Sequence, residues 1–405
     1  MVKTALVIPI VAALMAAPAP ASAHTGGWTG AWAAAPQQPS ADVWYPTWAE
    51  KGFADQSVRQ VIRVTAGGPM IRIRLSNAYG GSPLRLTGAT VAKAAGGAAV
   101  RPNTLRPLTF ARSASVTVPT GGQVGSDPVR LAVKAGERLT VTLYFREATG
   151  PATYHNLALT TSYRASGDHT HDLGPAAYTE TGVSSFYLSG VDVLAGGNAV
   201  ATFGDSITDG FGATLDADDR YPDALARRLG GRRPVLNLGI GGNRLLYDSA
   251  CLGERGVARF RRDVLDQPRV KTVIALEGTN DILLGLQEPT PCTTPAAKVS
   301  AGELVVGYRK LIRAAHERGV RILGGTLLPI KGYQFYSEEA ERIRDEVNTW
   351  IRSSGEFDAV VDFERAVADP GDPDRIRPAF DSGDHLHPNG AGYQAMADAV
   401  DLTAL

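Results

Sequence analysis

Two periodicities divide the chain. From about Trp28 to Val193, apolar residues recur at every second position. Ile71-Arg72-Ile73-Arg74-Leu75 alternates strictly, which places Ile71, Ile73 and Leu75 on one face of a strand and the arginines on the other. Residues 116–118, 129–133 and 139–143 repeat the pattern. Gly67-Gly68-Pro69, Gly80-Gly81-Ser82-Pro83, Gly96-Gly97 and Gly121-Gly122 punctuate these runs as turns. Short alternating strands between turn signals predict a β-sandwich or jelly roll, with no helix of conviction.

From about Gly196 the pattern becomes apolar strand, Gly-rich turn and helix, repeated. Strands are predicted over residues 200–203, 235–238, 270–276, 320–326 and 359–362, and helices over 219–229, 300–318 and 337–353. Gly319 is well suited to end the second of these helices. Alternating β and α elements imply an α/β unit with a doubly wound parallel sheet. Gly196-Gly197 marks the boundary, dividing the chain into an all-β domain over 24–195 and an α/β domain over 196–405.

Composition adds little to this except at the N-terminus. The 405 residues are 44% hydrophobic and 20% charged, enough to bury a core and too apolar for a disordered chain. The 45 glycines and 25 prolines suit a turn-rich fold. Basic and acidic residues balance at 41 each, which argues against a nucleic-acid partner. The first 23 residues read as a signal peptide. Lys3 precedes an apolar stretch interrupted by Pro9, and Ala21-Ser22-Ala23 forms the cleavage pattern, so the mature chain would start near His24. The apolar run is shorter than the ~20 residues a membrane span needs. A secreted, extracellular protein with no membrane span is therefore expected. In an oxidising compartment Cys251 and Cys292, the only two cysteines, would form one disulfide. Loop closure would then contribute roughly 4 kcal/mol. Two buried free thiols are the alternative; without suitably spaced histidines the pair makes a poor zinc site.

Candidate chemistry gathers where strands end. Open parallel sheets bind ligands outside the carboxyl ends of their strands, so motifs that follow successive strands should converge on one edge. The first is Gly204-Asp205-Ser206-Ile207-Thr208, whose serine could cap a helix or present a nucleophile at a helix N-terminus. The second, Gly239-Ile240-Gly241-Gly242-Asn243, could bring a backbone N–H close to a bound group or merely turn tightly. It lacks the spacing of a dinucleotide fingerprint. The third, Glu277-Gly278-Thr279-Asn280-Asp281, offers a neutral amide donor for an oxyanion, or a turn. Near the C-terminus stands Asp384-His385-Leu386-His387-Pro388. A spacing of three predicts Asp384 and His387 on one side of a helical turn, the acid orienting the imidazole as a base. The H-x-H pair could alternatively ligate a metal. His169 and His171, between Asp168 and Asp172, form a second H-x-H in a loop, suited to surface or inter-domain hydrogen bonds.

Ser206, Gly242, Asn280 and His387 in this order on successive elements resemble the blocks of the SGNH hydrolase superfamily, the GDSL esterases and lipases. The resemblance runs from about residue 199 to 399. More loosely, the β region looks like the N-terminal module of secreted two-domain members, some of them xylan-esterase-like. The resemblance implies Ser206 as nucleophile, His387 as its base and later acid, and Asp384 as the group orienting the ring. It also implies an oxyanion hole from the Ser206 N–H, the Gly242 N–H and the Asn280 amide, with Gly241 as the other candidate for the second donor. Ester hydrolysis would pass through an acyl-enzyme, with no metal and no organic cofactor. No G-x-S-x-G occurs, so the nucleophile elbow of α/β-hydrolases is not expected.

Tyr333, Phe335 and Tyr336 follow the fourth strand and are expected either to line the acyl or alcohol pocket or to pack beneath their loop. A Cys251–Cys292 bridge would pin two loops at the rim. The expected substrate is a small-molecule or polymeric ester, an acyl, acetyl or aryl ester of a lipid or plant polysaccharide. The competing reading is a carbohydrate- or surface-binding protein with the β domain as its binding module. A metal-dependent hydrolase using Asp384, His385 and His387, and acyl transfer to an alcohol or sugar, are further alternatives.

Overall fold

The computed structural model of the chain describes residues 26–40 and 45–405. The expected signal peptide and the start of the mature chain lie outside the described residues.

Alternation of apolar positions becomes two antiparallel sheets. One runs in the order Trp28–Ala33, Leu188–Leu194, Gly68–Ser76, Val129–Val133, with Gln123–Gly125 also paired to Gly68–Ser76. The other runs Glu180–Gly182, Ser162–Ser166, Gln56–Arg63, Arg138–Phe145, Gly88–Gly96, Ala99–Val100. A strand sends successive side chains to opposite faces, so every second residue can enter a shared interior. Ile71, Ile73 and Leu75 from the first sheet and Val58, Val91 and Val141 from the second meet in one core. The arginines on the opposite face do not simply meet water. Arg72 and Arg74 both pair with the buried Asp192, at 2.7 and 3.1 Å, and Arg74 reaches Gln267 Oε1 at 2.6 Å. That face docks on the C-terminal half of the chain. The Gly30 N–H donates to Pro268 O at 3.2 Å, and Thr65 Oγ1 donates to Val235 O at 3.0 Å and accepts from the Val235 N–H at 3.1 Å.

The C-terminal half is built on five parallel strands: β1 (Ala199–Gly204), β2 (Val235–Gly239), β3 (Val270–Leu276), β4 (Arg321–Gly325) and β5 (Ala359–Val361). They lie in the order β2-β1-β3-β4-β5. Every residue of β1 is buried, as in sheets covered on both faces. The helices are α1 (Ser206–Asp209), α2 (Tyr221–Leu229), α3 (Gly256–Phe260), α4 (Thr279–Gly285), α5 (Ala301–Glu317), α6 (Glu338–Ser353), α7 (Phe363–Val367) and α8 (Gly390–Asp398).

Helix limits follow local chemistry. Ser300 and Glu303 form a reciprocal capping box, so α5 starts one residue inside the expected span. Pro222 in the first turn sets the start of α2, while Asp219, expected inside it, accepts from the Thr214 N–H in the preceding turn. The periodicity did not predict α8, whose Gly-Ala-Gly start carries no apolar stripe; Asn389 Oδ1 caps it by accepting from the N–H groups of Ala391 and Gly392. A second core fills this half, and of the described N-terminal residues only Ala33 joins it. No described helix is long and apolar enough to cross a membrane.

Candidate active site

The strand order reverses between β1 and β3, and the crevice outside the strand ends at such a switch point is where open sheets bind ligands. The segments leaving β1, β2 and β3 carry the first three motifs.

β1 ends at Gly204, where a Cβ would lie 2.1 Å from the Leu276 carbonyl oxygen and 2.2 Å from Thr208 Oγ1. Only glycine fits there. Asp205 then caps α1, its Oδ1 accepting from the Ile207 N–H at 3.0 Å. With the cap supplied by its neighbour, Ser206 occupies the first helical position and its hydroxyl is free for another partner. That partner is His387, whose Nε2 lies 2.8 Å from Ser206 Oγ. On the far side of the ring, Nδ1 lies 2.6 Å from Asp384 Oδ2.

Asp384 and His387 do not share a helical turn, contrary to the expectation from their spacing. Residues 382–387 form an irregular bend with His385 at φ +66°, folded around the Asp384 carboxylate. Asp384 Oδ1 accepts from the backbone N–H groups of Leu386 and His387, at 3.0 and 2.9 Å. Burial by itself would raise the pKa of Asp384. The hydrogen bond from the His387 ring, the ring's charge and the two N–H groups outweigh it and hold the carboxyl well below its usual range. The same bend turns His385 outward, its Nδ1 2.6 Å from Asp381 Oδ2, so Asp384, His385 and His387 do not gather around a common point for a metal.

The turn after β2 supplies backbone donors. Gly242 sits at φ +72°, a region glycine enters freely. The Gly241 N–H is occupied, donating to Asp209 Oδ2 at 2.9 Å, whereas the Gly242 N–H meets no acceptor among the described residues. Asn280, in the first turn of α4, donates one amide hydrogen to Asn243 O at 3.0 Å and keeps the other. Its neighbour Asp281 accepts from the N–H groups of Leu245 and Leu246, at 2.6 and 2.9 Å, tying α4 to the segment after the glycine turn.

Beneath these groups lies buried charge. Arg259 of α3, fully enclosed, donates to Gly204 O and Leu238 O, both at 2.9 Å, and to Asn243 Oδ1 at 2.7 Å. One guanidinium thus ties together the ends of β1 and β2. Glu277 lies 3.7 Å from it, with neither carboxylate oxygen hydrogen-bonded to a side chain or backbone group. Burial pushes Asp205 up to about 7 against the opposing Ile207 N–H, and Asp281 likewise to about 7. It raises Glu277 well above the usual carboxylate range.

Residues 202–395 match the sequence model of the GDSL-like Lipase/Acylhydrolase family. That stretch is a hydrolase domain of the SGNH superfamily. Its enzymatic class is carboxylic ester hydrolase. Among solved structures it is similar to a GDSL-like lipase from Bacteroides thetaiotaomicron, at 17% identity over 51% of this chain and 87% of that one, with TM-score 0.39. A carbohydrate acetylesterase family member from Sinorhizobium meliloti is similar at 18% identity over 50% of this chain and 94% of that one, with TM-score 0.40. No curated protein matches the chain.

In this SGNH hydrolase Cys251 and Cys292 are bonded. Arg244, directly after Asn243, donates to the carbonyls of Thr293 and Pro295 at 3.1 and 2.7 Å, so the disulfide loop is also held from the second motif. The three aromatic residues after β4 are all partly buried against the C-terminal core, and the Tyr336 N–H donates to Tyr333 O at 2.9 Å. Tyr333 and Phe335 pack edge to face with centroids 5.4 Å apart. Burial, with the charge of Asp384 adding to it, raises the Tyr333 hydroxyl's pKa. Tyr336 instead faces a shallow groove along α6 with Glu338, Arg342 and Glu346, a groove that includes none of Ser206, Gly242, Asn280 or His387. Sequence reasoning missed Phe211, whose ring lies against His387 with centroids 4.5 Å apart, and also Asp209 and Arg259. Asp209 and Phe211 directly continue the first motif and could have been found there; Arg259 gives no local signal.

Proposed function

We propose that the chain is an exported esterase that cleaves acyl esters through Ser206, His387 and Asp384. The observation that carries this reading is the 2.8 Å contact of Ser206 Oγ with an imidazole whose other nitrogen is held by Asp384. His387 Nε2 takes the hydroxyl proton as Oγ attacks the ester carbonyl, and Asp384 stabilises the imidazolium. The charge that develops on the carbonyl oxygen is met by the Ser206 N–H, the Gly242 N–H and the Asn280 amide, each donor worth about 3 kcal/mol in the transition state. His387 then gives its proton to the departing alkoxide, leaving Ser206 acylated. Water, deprotonated by the same nitrogen, releases the acid and restores the serine.

For substrate we read an acetyl, acyl or aryl ester carried on a lipid or plant polysaccharide. Phe211 against His387 supplies an aromatic wall suited to a sugar face or an aryl group, and we assign Tyr333 and Phe335, which pack edge to face, to the same pocket. We divide the chain into a signal peptide (1–23), a β-sandwich or jelly-roll module (24–195) and a catalytic domain (196–405). Two separate cores, with Ala33 of the β region counted in the C-terminal one, support the division. The Cys251–Cys292 bond supports export, because disulfides persist in oxidising compartments. Turnover of p-nitrophenyl esters of increasing acyl length, acetylated xylan, feruloyl esters and phospholipids, measured beside Ser206→Ala, tests the reading. The wild type should cleave at least one class, and Ser206→Ala none. Equal rates for the two would overturn the assignment.

A further inference from the structure

The β module reaches the helix that Ser206 opens through a buried side chain. His155 lies in the short strand Tyr154–His155, paired with Ser185–Phe186, and is almost fully enclosed. Its Nδ1 stands 3.0 Å from Ala35 O and its Nε2 stands 2.9 Å from Asp209 Oδ1. Asp209 closes α1, the helix that Ser206 opens, and its other oxygen accepts the Gly241 N–H at 2.9 Å. Its backbone oxygen accepts from Asn237 Nδ2 at 3.2 Å. The carboxylate therefore bridges the serine's helix and the glycine turn, and its orientation is set by a histidine from outside the catalytic half.

We propose that His155 is a positioning residue for the oxyanion hole: through Asp209 it fixes Gly241, and so aims the adjacent Gly242 N–H at the carbonyl oxygen. The inference rests on the esterase reading above. Rotation about Cα–Cβ of Asp209 is the freedom that matters. With only the Gly241 N–H attached, a buried carboxylate can swing, and the left-handed Gly242 peptide can follow it. An oxyanion donor acts by being placed before charge develops, so a small loss of aim lowers kcat while leaving binding of the uncharged ester almost untouched.

Steady-state hydrolysis of p-nitrophenyl acetate and inhibition by phenylboronic acid, in the full-length protein, test this. His155→Ala should lose about 10–100-fold in kcat with KM within about two-fold, and phenylboronate affinity should fall in parallel. Gln at 155 can still donate to Asp209 and should recover most of the loss. Asp209→Ala should lose at least as much as His155→Ala, and Asp209→Asn, which can accept from Gly241 while its amide bonds the His155 ring, should recover most of it. The double alanine variant should be no slower than Asp209→Ala, because the two act in series. A folded His155→Ala enzyme with wild-type kcat, or losses that multiply in the double variant, would overturn the proposal. If His155→Ala does not fold, Asp209→Ala at wild-type kcat overturns it equally. Absence of any ester turnover by the wild type would remove the functional reading itself, whereas an active enzyme indifferent to both positions would remove only this inference.

Discussion

The chain contains the sequence His-x-His with a flanking Asp twice, and the two regions use it differently. In the β module, His169 Nδ1 lies 2.8 Å from Asp172 Oδ2 and its Nε2 lies 2.9 Å from Ser166 O. Both ring nitrogens are spent within the loop. Buried Arg59 fastens that loop by donating to Asp172 O at 2.8 Å, with Tyr178 beneath its guanidinium. In the α/β half, His387 likewise holds its own Asp at 2.6 Å, but its second nitrogen meets a serine 181 residues away in sequence. An acid at i−3 or i+3 orients an imidazole in either case. What leaves one of them able to serve as the proposed base is that its remaining nitrogen meets no acceptor in its own loop, and that is a property of the surroundings.

This contrast can be broken most sharply at the second nitrogen. His387→Ala and Ser206→Ala should each lower kcat on an active ester by roughly 10⁴-fold or more, and the double variant should be little worse, since the two act as a unit. Single-turnover assays of the three proteins would show it; multiplicative losses would mean that the contact is not the working one. Removing an oxyanion donor is the next largest effect. Asn280→Ala should cost about 10²–10³-fold in kcat with little change in KM.

An effect on stability distinguishes the two halves by their buried charge. Asp205 ionises near ~3.9 in an unfolded chain. In the folded protein it keeps its proton up to about 7. Between these values the folded state binds the extra proton, so this group's contribution makes stability fall as pH rises through that window. Asp205→Asn keeps the cap on Ile207 and removes the titration. Urea unfolding at pH 4 and pH 8 should then show the variant gaining on the wild type at the higher pH by roughly 3–4 kcal/mol. An unchanged difference between the two pH values would count against the raised pKa. Smallest of all, His169→Ala should leave kcat/KM within about two-fold and lower stability by ~1 kcal/mol, the size of lost hydrogen bonds at a part-exposed site.

Much of the architecture was legible because it rests on local rules. Strict alternation at 71–75 places one face inward wherever a second sheet covers it, and the predicted run 270–276 coincides with β3. The order of motifs after successive strands already implied that they share an edge, since parallel strands all end on the same side. The spacing of Asp384 and His387 paired the right residues but implied the wrong backbone. A left-handed residue at 385 was not visible in the pattern, and it is what separates His385 from His387.

By itself, then, the sequence determined which elements form, where the chemistry-bearing residues sit along them and which superfamily they resemble. Periodicity, caps and turns act over a few residues and are written in them directly. Only the tertiary structure decided that Ser206 meets His387, that the Gly241 N–H is engaged by Asp209 while the Gly242 N–H meets no acceptor among the described residues, and that His155 of the β module holds Asp209. Each of these depends on which donor a given acceptor meets across a fold. Partners brought together from more than fifty residues apart, like the 54 between His155 and Asp209, leave no mark on the local pattern of either segment.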